Sequence, residues 1–355
     1  MTTPRLLIHP YTLPLARPIT TAAGHFTTRQ GVWVEVRDLE HGEFGLGEAA
    51  TWPGFGSGRL GMESIAARFE AAAADWSVKG GVEGVKEALE GFQGGVEERF
   101  ALETALLDAV ARFEQRPLGA LFGVQTPRRS VAVHVLVKDE DDAVEAVADG
   151  ARHLKVKVGA ALLELDDARL GRIRAAVGSA VALRLDANGA WDLETAPVAV
   201  ERLARHGIEF IEQPVAADDI EALARVRRQT GVKIGADEAV VSTQALEQIL
   251  ELEAADVVVL KPMFVGGALV ALEMAAKARA CGVSVMLTHA LESAVGRLAA
   301  LHLASAMPEP LLACGLAGRP AGMPEGVAYP AVVEGRMVVP GASGLGVGQE
   351  VMAWS

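Results

Sequence analysis

Five apolar runs of this sequence end in charged residues: Lys155-Val-Lys157, Asp186, Glu212, Asp237 and Lys261. Each gives way to a turn signal such as Ala187-Asn-Gly189, Gln213-Pro214 or Pro262. Taken singly, each has an ordinary reading. An aspartate before Asn-Gly is a turn residue, and a glutamate before Gln-Pro is a solvated strand end. Their common register is harder to ascribe to solvation. Three uncompensated carboxylates gathered at one mouth would repel and raise their own pKa values. A hard divalent cation removes that cost, and Mg2+ takes oxygen ligands while leaving positions for water or substrate. No cysteine or histidine stands among the candidates, so zinc is not expected.

Strand alternation puts Lys155 and Lys157 on one face and Leu154, Val156 and Val158 on the other. Two ammonium groups one two-residue step apart, about 6.6 Å, repel by about 2.5 kcal/mol at an effective dielectric of about 20. That corresponds to roughly two pKa units and would make one lysine available as a base. The alternative is a pair of surface lysines on an edge strand. Lys261 would face the same substrate carbon from the other side, as a second acid or base or as a fixed cation. These parts suit removal of a proton α to a carboxylate, with the metal stabilising the resulting enediolate. The intermediate then regains a proton or expels a β-leaving group.

The elements that must position these groups are a repeated strand–helix alternation. Apolar runs lie at Ser130–Val137, His153–Val158, Val181–Asp186, Ile208–Glu212, Val232–Asp237, Asp256–Lys261, Val283–His289 and Leu311–Gly315. Amphipathic segments such as Ile220–Gln229 and Ala268–Ala280 lie between them. Positions 186, 212, 237 and 261 are 26, 25 and 24 residues apart. That spacing matches one βα unit of a barrel that takes about 250 residues in all. An open doubly wound sheet is the alternative. Ahead of the repeat, Arg5–His9, Gly31–Arg37 and Phe44–Glu48 read as strands with a turn at Asp38–Glu43, and Val96–Gln115 reads as a helix with Phe100, Leu106, Val110 and Phe113 near one stripe. Gly45-Leu-Gly47-Glu-Ala-Ala50 fits a dinucleotide-binding spacing, but Thr51-Trp-Pro-Gly54 cannot continue into the helix that binding requires. The Gly/Pro-punctuated tail, Val327–Glu350, reads as strands returning to the N-terminal part. The expected division is an α+β capping domain over 1–125, a barrel over 126–316 and a returning segment over 317–355.

Composition narrows the classes of function. Half of the 355 residues are hydrophobic, enough for a large core, and the net charge is −13. No basic patch suggests nucleic acid or an anionic membrane surface. No run reaches the roughly 18 apolar residues of a membrane span. Cys281 and Cys314 have no ligand-like spacing, which suits a reducing compartment. Met1-Thr-Thr-Pro-Arg5 opens no signal-peptide core. The expectation is a cytoplasmic protein with a small-molecule carboxylate substrate and neither a nucleic-acid nor a membrane partner. Whether it forms a homo-oligomer is left open, and so is a catalytically silent binding barrel.

At Lys155-Val-Lys157, Asp186-Ala-Asn188, Glu212-Gln-Pro214, Asp237-Glu238 and Lys261-Pro262 the chain resembles the enolase superfamily, in its muconate-lactonising subgroup. The resemblance implies an α/β fold, a modified TIM barrel (β/α)7β with an α+β capping domain. It implies Mg2+, with Mn2+ as a substitute, held by Asp186, Glu212 and Asp237, and Lys157 and Lys261 flanking the substrate. Loops around Thr20–Arg29 and Thr51–Gly56 would close over the site. Pro18-Ile-Thr-Thr-Ala-Ala-Gly24, Gly47-Glu-Ala-Ala50, Pro53-Gly-Phe55, Arg184-Leu-Asp186, Leu291-Glu-Ser293 and Val295-Gly-Arg297 are similar to the o-succinylbenzoate synthase family. That implies dehydration of a succinyl-hydroxycyclohexadiene carboxylate in menaquinone biosynthesis. Lys157 would remove the α-proton and assist departure of the hydroxyl. Lys261 would stabilise the enediolate. Lys155 would hold down the pKa of Lys157 and contact the carboxylate. Implied substrate contacts are Arg184, Asn188, Ser293, Thr21 and Arg29. Dipeptide epimerases of the subgroup carry Asp-x-Asp where this chain reads Ala313-Cys-Gly-Leu-Ala317, which counts against them. N-acylamino acid racemization would use the same two lysines, and muconate cycloisomerization is a further alternative. His289 reads as a pocket-lining or core histidine, because no orienting carboxylate is evident.

Overall fold

The computed structural model describes residues 3–21, 24–53, 55–58, 60–123, 126–324 and 329–354. An N-terminal antiparallel sheet is built from β1 (Arg5–Thr21), β2 (Gly24–Asp38) and β3 (Glu43–Ala50), in that order. β1 carries Pro10, Pro14 and Pro18, which an edge strand tolerates because one side of it needs no donors. The β1–β2 hairpin is longer than the sequence suggested. After an irregularity between Pro14 and Ile19 the pairing resumes at Ile19↔Phe26 and runs to Thr21↔Gly24. The segment expected as a loop is therefore largely strand, held by a cross-strand apolar pair.

Three helices follow: α1 (Ile65–Ala72), α2 (Gly81–Leu89) and α3 (Val96–Phe113). α3 packs so closely on β3 that a Cβ at Gly45 would stand 1.9 Å from the Ala105 carbonyl oxygen, and one at Gly47 1.9 Å from that of Ala101. The two glycines that mimic a nucleotide fingerprint are thus a seat for a helix. α3 is buried nearly all round, and its acids act as clips. Asp108 accepts from Leu46 N at 2.9 Å and Leu345 N at 2.7 Å, Glu98 pairs with Arg68, and Glu97 accepts from Ser57 N at 2.9 Å. Phe113 leaves the expected stripe, being partly exposed with its ring edge against His41.

The chain then forms β4 (Ser130–Ala132), β5 (Val135–Val137), α4 (Glu140–Ala148), β6 (His153–Lys157), α5 (Leu163–Val177), β7 (Ala182–Asp186), α6 (Thr195–Ala204), β8 (Ile208–Glu212) and α7 (Ile220–Thr230). It continues with β9 (Ile234–Ala236), α8 (Thr243–Glu251), β10 (Val257–Leu260), α9 (Pro262–Val265), α10 (Ala268–Ala280), β11 (Ser284–Leu287) and α11 (Ala294–Ala306). Side-chain caps start several helices, such as Asp139 on α4, Asp219 on α7 and Ser242 on α8. Strands β5 to β11 form one parallel sheet in sequential order. The segment Leu311–Gly315 closes it, bridging β11 and the residue after it through Val285↔Leu311 and Thr288↔Gly315, and the junction between β4 and β5 through Val133↔Cys314. This is a (β/α)7β barrel. Its interior is filled by Phe210, Val257, Val259 and Met286, so it is a core and not a pore.

Two details differ from the sequence reading. The run Ser130–Val137 is divided, because β4 pairs antiparallel with the tail hairpin β12 (Val332–Val333) and β13 (Arg336–Val338) while only β5 enters the barrel. The tail therefore pairs with the barrel entrance first and reaches the N-terminal sheet later, where Gln349 bonds Glu35. Val327 lies outside the described residues. Among the described residues, no helix is long and apolar enough to cross a membrane.

His302 of α11 is buried where the helix meets Gly119 and Leu345. Its Nδ1 accepts from Gly119 N at 3.4 Å, and its Nε2 lies 3.2 Å from the Leu345 oxygen. Burial pushes its pKa down to about 4 from an ordinary 6.5. The unfolded chain therefore binds this proton first as the pH falls. The stabilisation is complete above pH 6.5 and is lost as the pH drops towards 4, by about 3 kcal/mol in total. Thermal unfolding of His302→Gln between pH 7 and pH 4 should show a shallower acid slope than wild type. Equal slopes would refute the assignment.

Candidate active site

Register, not proximity in sequence, brings the charged strand ends together. Along the parallel sheet Lys157 pairs with Asp186 and Asp186 with Glu212, while Asp237 follows the end of β9 and Lys261 the end of β10. All face the barrel mouth. Lys155 Nζ sits 2.7 Å from both Asp186 Oδ2 and Glu212 Oε1. Lys157 Nζ lies 2.7 Å from Asp186 Oδ2 and also donates to Asn188 Oδ1. On the far side Lys261 pairs with Asp237. The two outer amines differ in setting: the Lys157 side chain is 48% exposed and that of Lys261 12%.

The electrostatics differ from a simple repelling lysine pair. Burial alone would depress the Lys155 amine, but Asp186, Glu212 and Asp237 outweigh it and hold its pKa above the ordinary range. Lys155 is therefore a fixed cation between two carboxylates. Burial would raise Asp186, yet Lys155 and Lys157 keep it well below the usual carboxylate range. Glu212 is pushed up by burial and by the neighbouring Asp186 and Asp237, with Lys155 opposing.

Among the described residues, no three acidic, histidine or cysteine side chains enclose one point tightly enough to ligate a metal as they stand. Each carboxylate is instead turned to a lysine. The donor set still suits a hard cation. It is all oxygen from adjoining strand ends, and Glu212 Oε2 is buried without a hydrogen-bond partner. A buried carboxyl oxygen in that state lacks a partner that a bound cation would supply.

The backbone around the mouth is held by side chains of which the sequence marked only Asn188. Asn188 and Gln213 both have left-handed backbone, with φ of 44° and 41°. Gln213 Oε1 accepts from Asp237 N at 3.0 Å and Ala239 N at 3.2 Å, fixing the third carboxylate's loop. Asn188 Nδ2 donates to Glu238 Oε1 at 2.7 Å, so Asn188 links Lys157 to a second acid. Phe55 places its ring 4.3 Å from Lys261 Nζ and stacks on Phe264. Leu136 pairs in register with Lys155 and stays exposed at the rim. Phe55 and Gln213 stood inside quoted motifs, but nothing about their types or spacing assigned them a role.

Three implied substrate contacts are engaged elsewhere. Arg184 is fully buried one strand step below Asp186. Its Nε pairs with Glu209 at 2.7 Å, and its Nη1 meets the Ala313 oxygen and the Met286 sulfur, so it fills the barrel interior. Ser293 caps α11 and is tied to the sheet: its Oγ donates to Glu48 Oε2 at 2.6 Å and accepts from Trp33 Nε1 at 2.9 Å. Glu48 also accepts from Ser293 N at 2.8 Å, Gly296 N at 2.8 Å and the Tyr11 hydroxyl at 2.5 Å. The Arg29 guanidinium is used by the carbonyls of Ala50, Thr51 and Ala290. All three hold the scaffold around the mouth. Asn188 does face the mouth, and the Thr21 side chain lies outside the described residues. His289 accepts from Leu291 N at 3.1 Å. Burial, then Arg297, His134 and the lysines, hold it well below its ordinary pKa, so it is neutral.

Comparison with known proteins agrees with this architecture. Residues 138–350, more than half of the chain, match the family model described as enolase C-terminal domain-like. An L-Ala-D/L-Glu epimerase of Bacillus subtilis (strain 168) is 32% identical over 303 residues, covering 82% of each chain. An o-succinylbenzoate synthase of Thermobifida fusca (strain YX) is 40% identical over 183 residues, covering 51% of this chain and 56% of that protein. The crystal structure of N-succinyl Arg/Lys racemase from Bacillus cereus ATCC 14579 superposes with a TM-score of 0.86 at 25% identity, covering 99% and 96% of the two chains. A dipeptide epimerase from Cytophaga hutchinsonii, solved with Mg and the dipeptide D-Ala-L-Val, superposes with a TM-score of 0.82 at 25% identity, covering 98% and 95%. The closed parallel barrel and the extent of these matches agree, and the chain belongs to the enolase superfamily.

Proposed function

We propose that this chain is a Mg2+-dependent dehydratase, an o-succinylbenzoate synthase of menaquinone biosynthesis. The observation that carries the reading is the linked set of charges at the mouth: Lys157 on Asp186, Lys155 between Asp186 and Glu212, and Lys261 on Asp237. Asp186, Glu212 and Asp237 would hold the metal, and the Mg-bound structural neighbour supports that choice of ion. Bound Mg2+ would supply the positive charge that offsets the negative charge developing on a substrate carboxylate as its α-proton leaves.

Lys157, half-exposed at the mouth, removes the proton from the α-carbon. The freed electron pair forms the ring double bond as the β-carbon–oxygen bond breaks. The same amine returns the proton to the departing hydroxyl, which leaves as water. Lys261 remains a cation beside the developing charge. Lys155 compensates Asp186 and Glu212 in place of tuning Lys157 by repulsion. The 40% identical stretch shared with the Thermobifida fusca synthase favours dehydration. So does the sequence Ala313-Cys-Gly in the closing strand, which offers no acid to a substrate amine.

N-succinylamino acid racemization is the second reading. Its support is the similarity to the Bacillus cereus racemase along nearly the whole chain, together with amines on both sides of the carboxylate row. The test is to assay the purified protein with Mg2+ against 2-succinyl-6-hydroxy-2,4-cyclohexadiene-1-carboxylate and against N-succinylamino acids. Dehydration exceeding racemization in kcat/KM by about tenfold or more supports the first reading. The reverse ranking supports the second, and no turnover of either removes both.

A further inference from the structure

Lys261 is the one mouth lysine capped by an aromatic ring among the described residues. Its Nζ is 4.3 Å from the centroid of Phe55, a residue contributed by the N-terminal part of the chain. The ring is held in three ways. Phe55 N donates to the Trp52 oxygen at 3.1 Å, closing a tight turn, and Trp52 packs on Phe26 at 4.9 Å. Gly56 follows with φ +61°, where a Cβ would stand 2.1 Å from Glu97 Oε1, and Ser57 N then donates to that same oxygen at 2.9 Å. Phe264, three residues beyond Lys261, stacks on Phe55 with centroids 5.3 Å apart and planes at 18°. The barrel thus supplies a second ring that backs the first.

A cation over a ring face is attracted by the ring's quadrupole, and more strongly where water is excluded. Asp237 anchors the Lys261 ammonium on one side, and the unbranched stem leaves its remaining freedom to be limited by the ring. We infer that Phe55, backed by Phe264, is a positioning residue that fixes the Lys261 ammonium against the reacting carbon by packing its ring face over it. The inference deepens the proposed reading, because it needs a reaction in which Lys261 acts. It ties the identity of Phe55 to the rate of the chemical step.

Two measurements on the full chain test it. In the first, kcat and KM are measured for Phe55→Leu, Phe55→Trp and Phe264→Leu on whichever carboxylate the wild type turns over. Phe55→Leu should lower kcat about tenfold with KM changed less than about twofold, and Phe55→Trp should recover most of kcat. Phe264→Leu should fall between them. The second needs no substrate: site-resolved reductive methylation of the lysines, read by mass spectrometry. Phe55→Leu should speed labelling of Lys261 about fivefold while leaving Lys157 unchanged. An unaltered kcat in Phe55→Leu, or leucine and tryptophan variants that behave alike, overturns the inference. So does unchanged labelling of Lys261. If no carboxylate is turned over, the proposed function fails while the labelling result still decides the positioning of Lys261.

Discussion

Lys157→Ala is expected to lower kcat for the dehydration by about a thousandfold or more, the scale of losing a positioned general base. The fold should survive. Lys157 is half-exposed, and its partner Asp186 keeps Lys155 at 2.7 Å, so the stability change should stay within about 1 kcal/mol. Steady-state kinetics together with a melting curve separate the two effects. Near-normal dehydration by Lys157→Ala would assign the base elsewhere, with Lys261 the first alternative. Asn188 and Glu238 stand behind Lys157 in one hydrogen-bonded line, so Asn188→Ala should retain far more activity than Lys157→Ala.

The second large effect concerns the cation. At a Mg2+ concentration about a hundredfold above its dissociation constant, the wild-type protein should gain about 2.7 kcal/mol of stability. For a chain of this size that is a rise in melting temperature of roughly 4 °C. Glu212→Gln should abolish most of that rise, because it removes the carboxylate whose Oε2 lacks a partner and leaves a neutral amide in its place. The same titration on wild type and variant, read calorimetrically, needs no substrate. A Mg2+-dependent rise preserved in Glu212→Gln would place the metal away from this row. No rise in either protein would favour a silent binding barrel.

Much of the site was legible because barrel geometry converts sequence spacing into height. The runs ending at Asp186, Glu212, Asp237 and Lys261 recur at one βα unit each, and parallel pairing sets Asp186 beside Glu212, with Asp237 and Lys261 further along their own strands. Alternation placed Lys155 and Lys157 on one face correctly. Their electrostatics were less legible. Repulsion between two amines can be computed from one strand, but the carboxylates that reverse it come from the next three. Arg184 illustrates a second limit. It shares a face with Asp186, yet a single step down the strand separates the mouth from the interior layer, and its partners Glu209 and Ala313 are remote in sequence. Ser293 and Arg29 carry a related ambiguity. Polar residues in short motifs serve equally well as caps and clamps, and only the packed structure shows which scaffold hydrogen bonds they make.

Glu48 decides which parts of the molecule can travel. One buried carboxylate from the N-terminal sheet holds the start of the barrel's last crossover helix through Ser293 and Gly296, with Tyr11 completing its shell. Swinging the sheet away would strand that anion in apolar surroundings, at a cost of several kcal/mol. Sheet and barrel should therefore tumble through the catalytic cycle as one rigid body. Entry and exit then need no hinge between sheet and barrel, so crystals of the protein should admit small carboxylates by soaking without fracture.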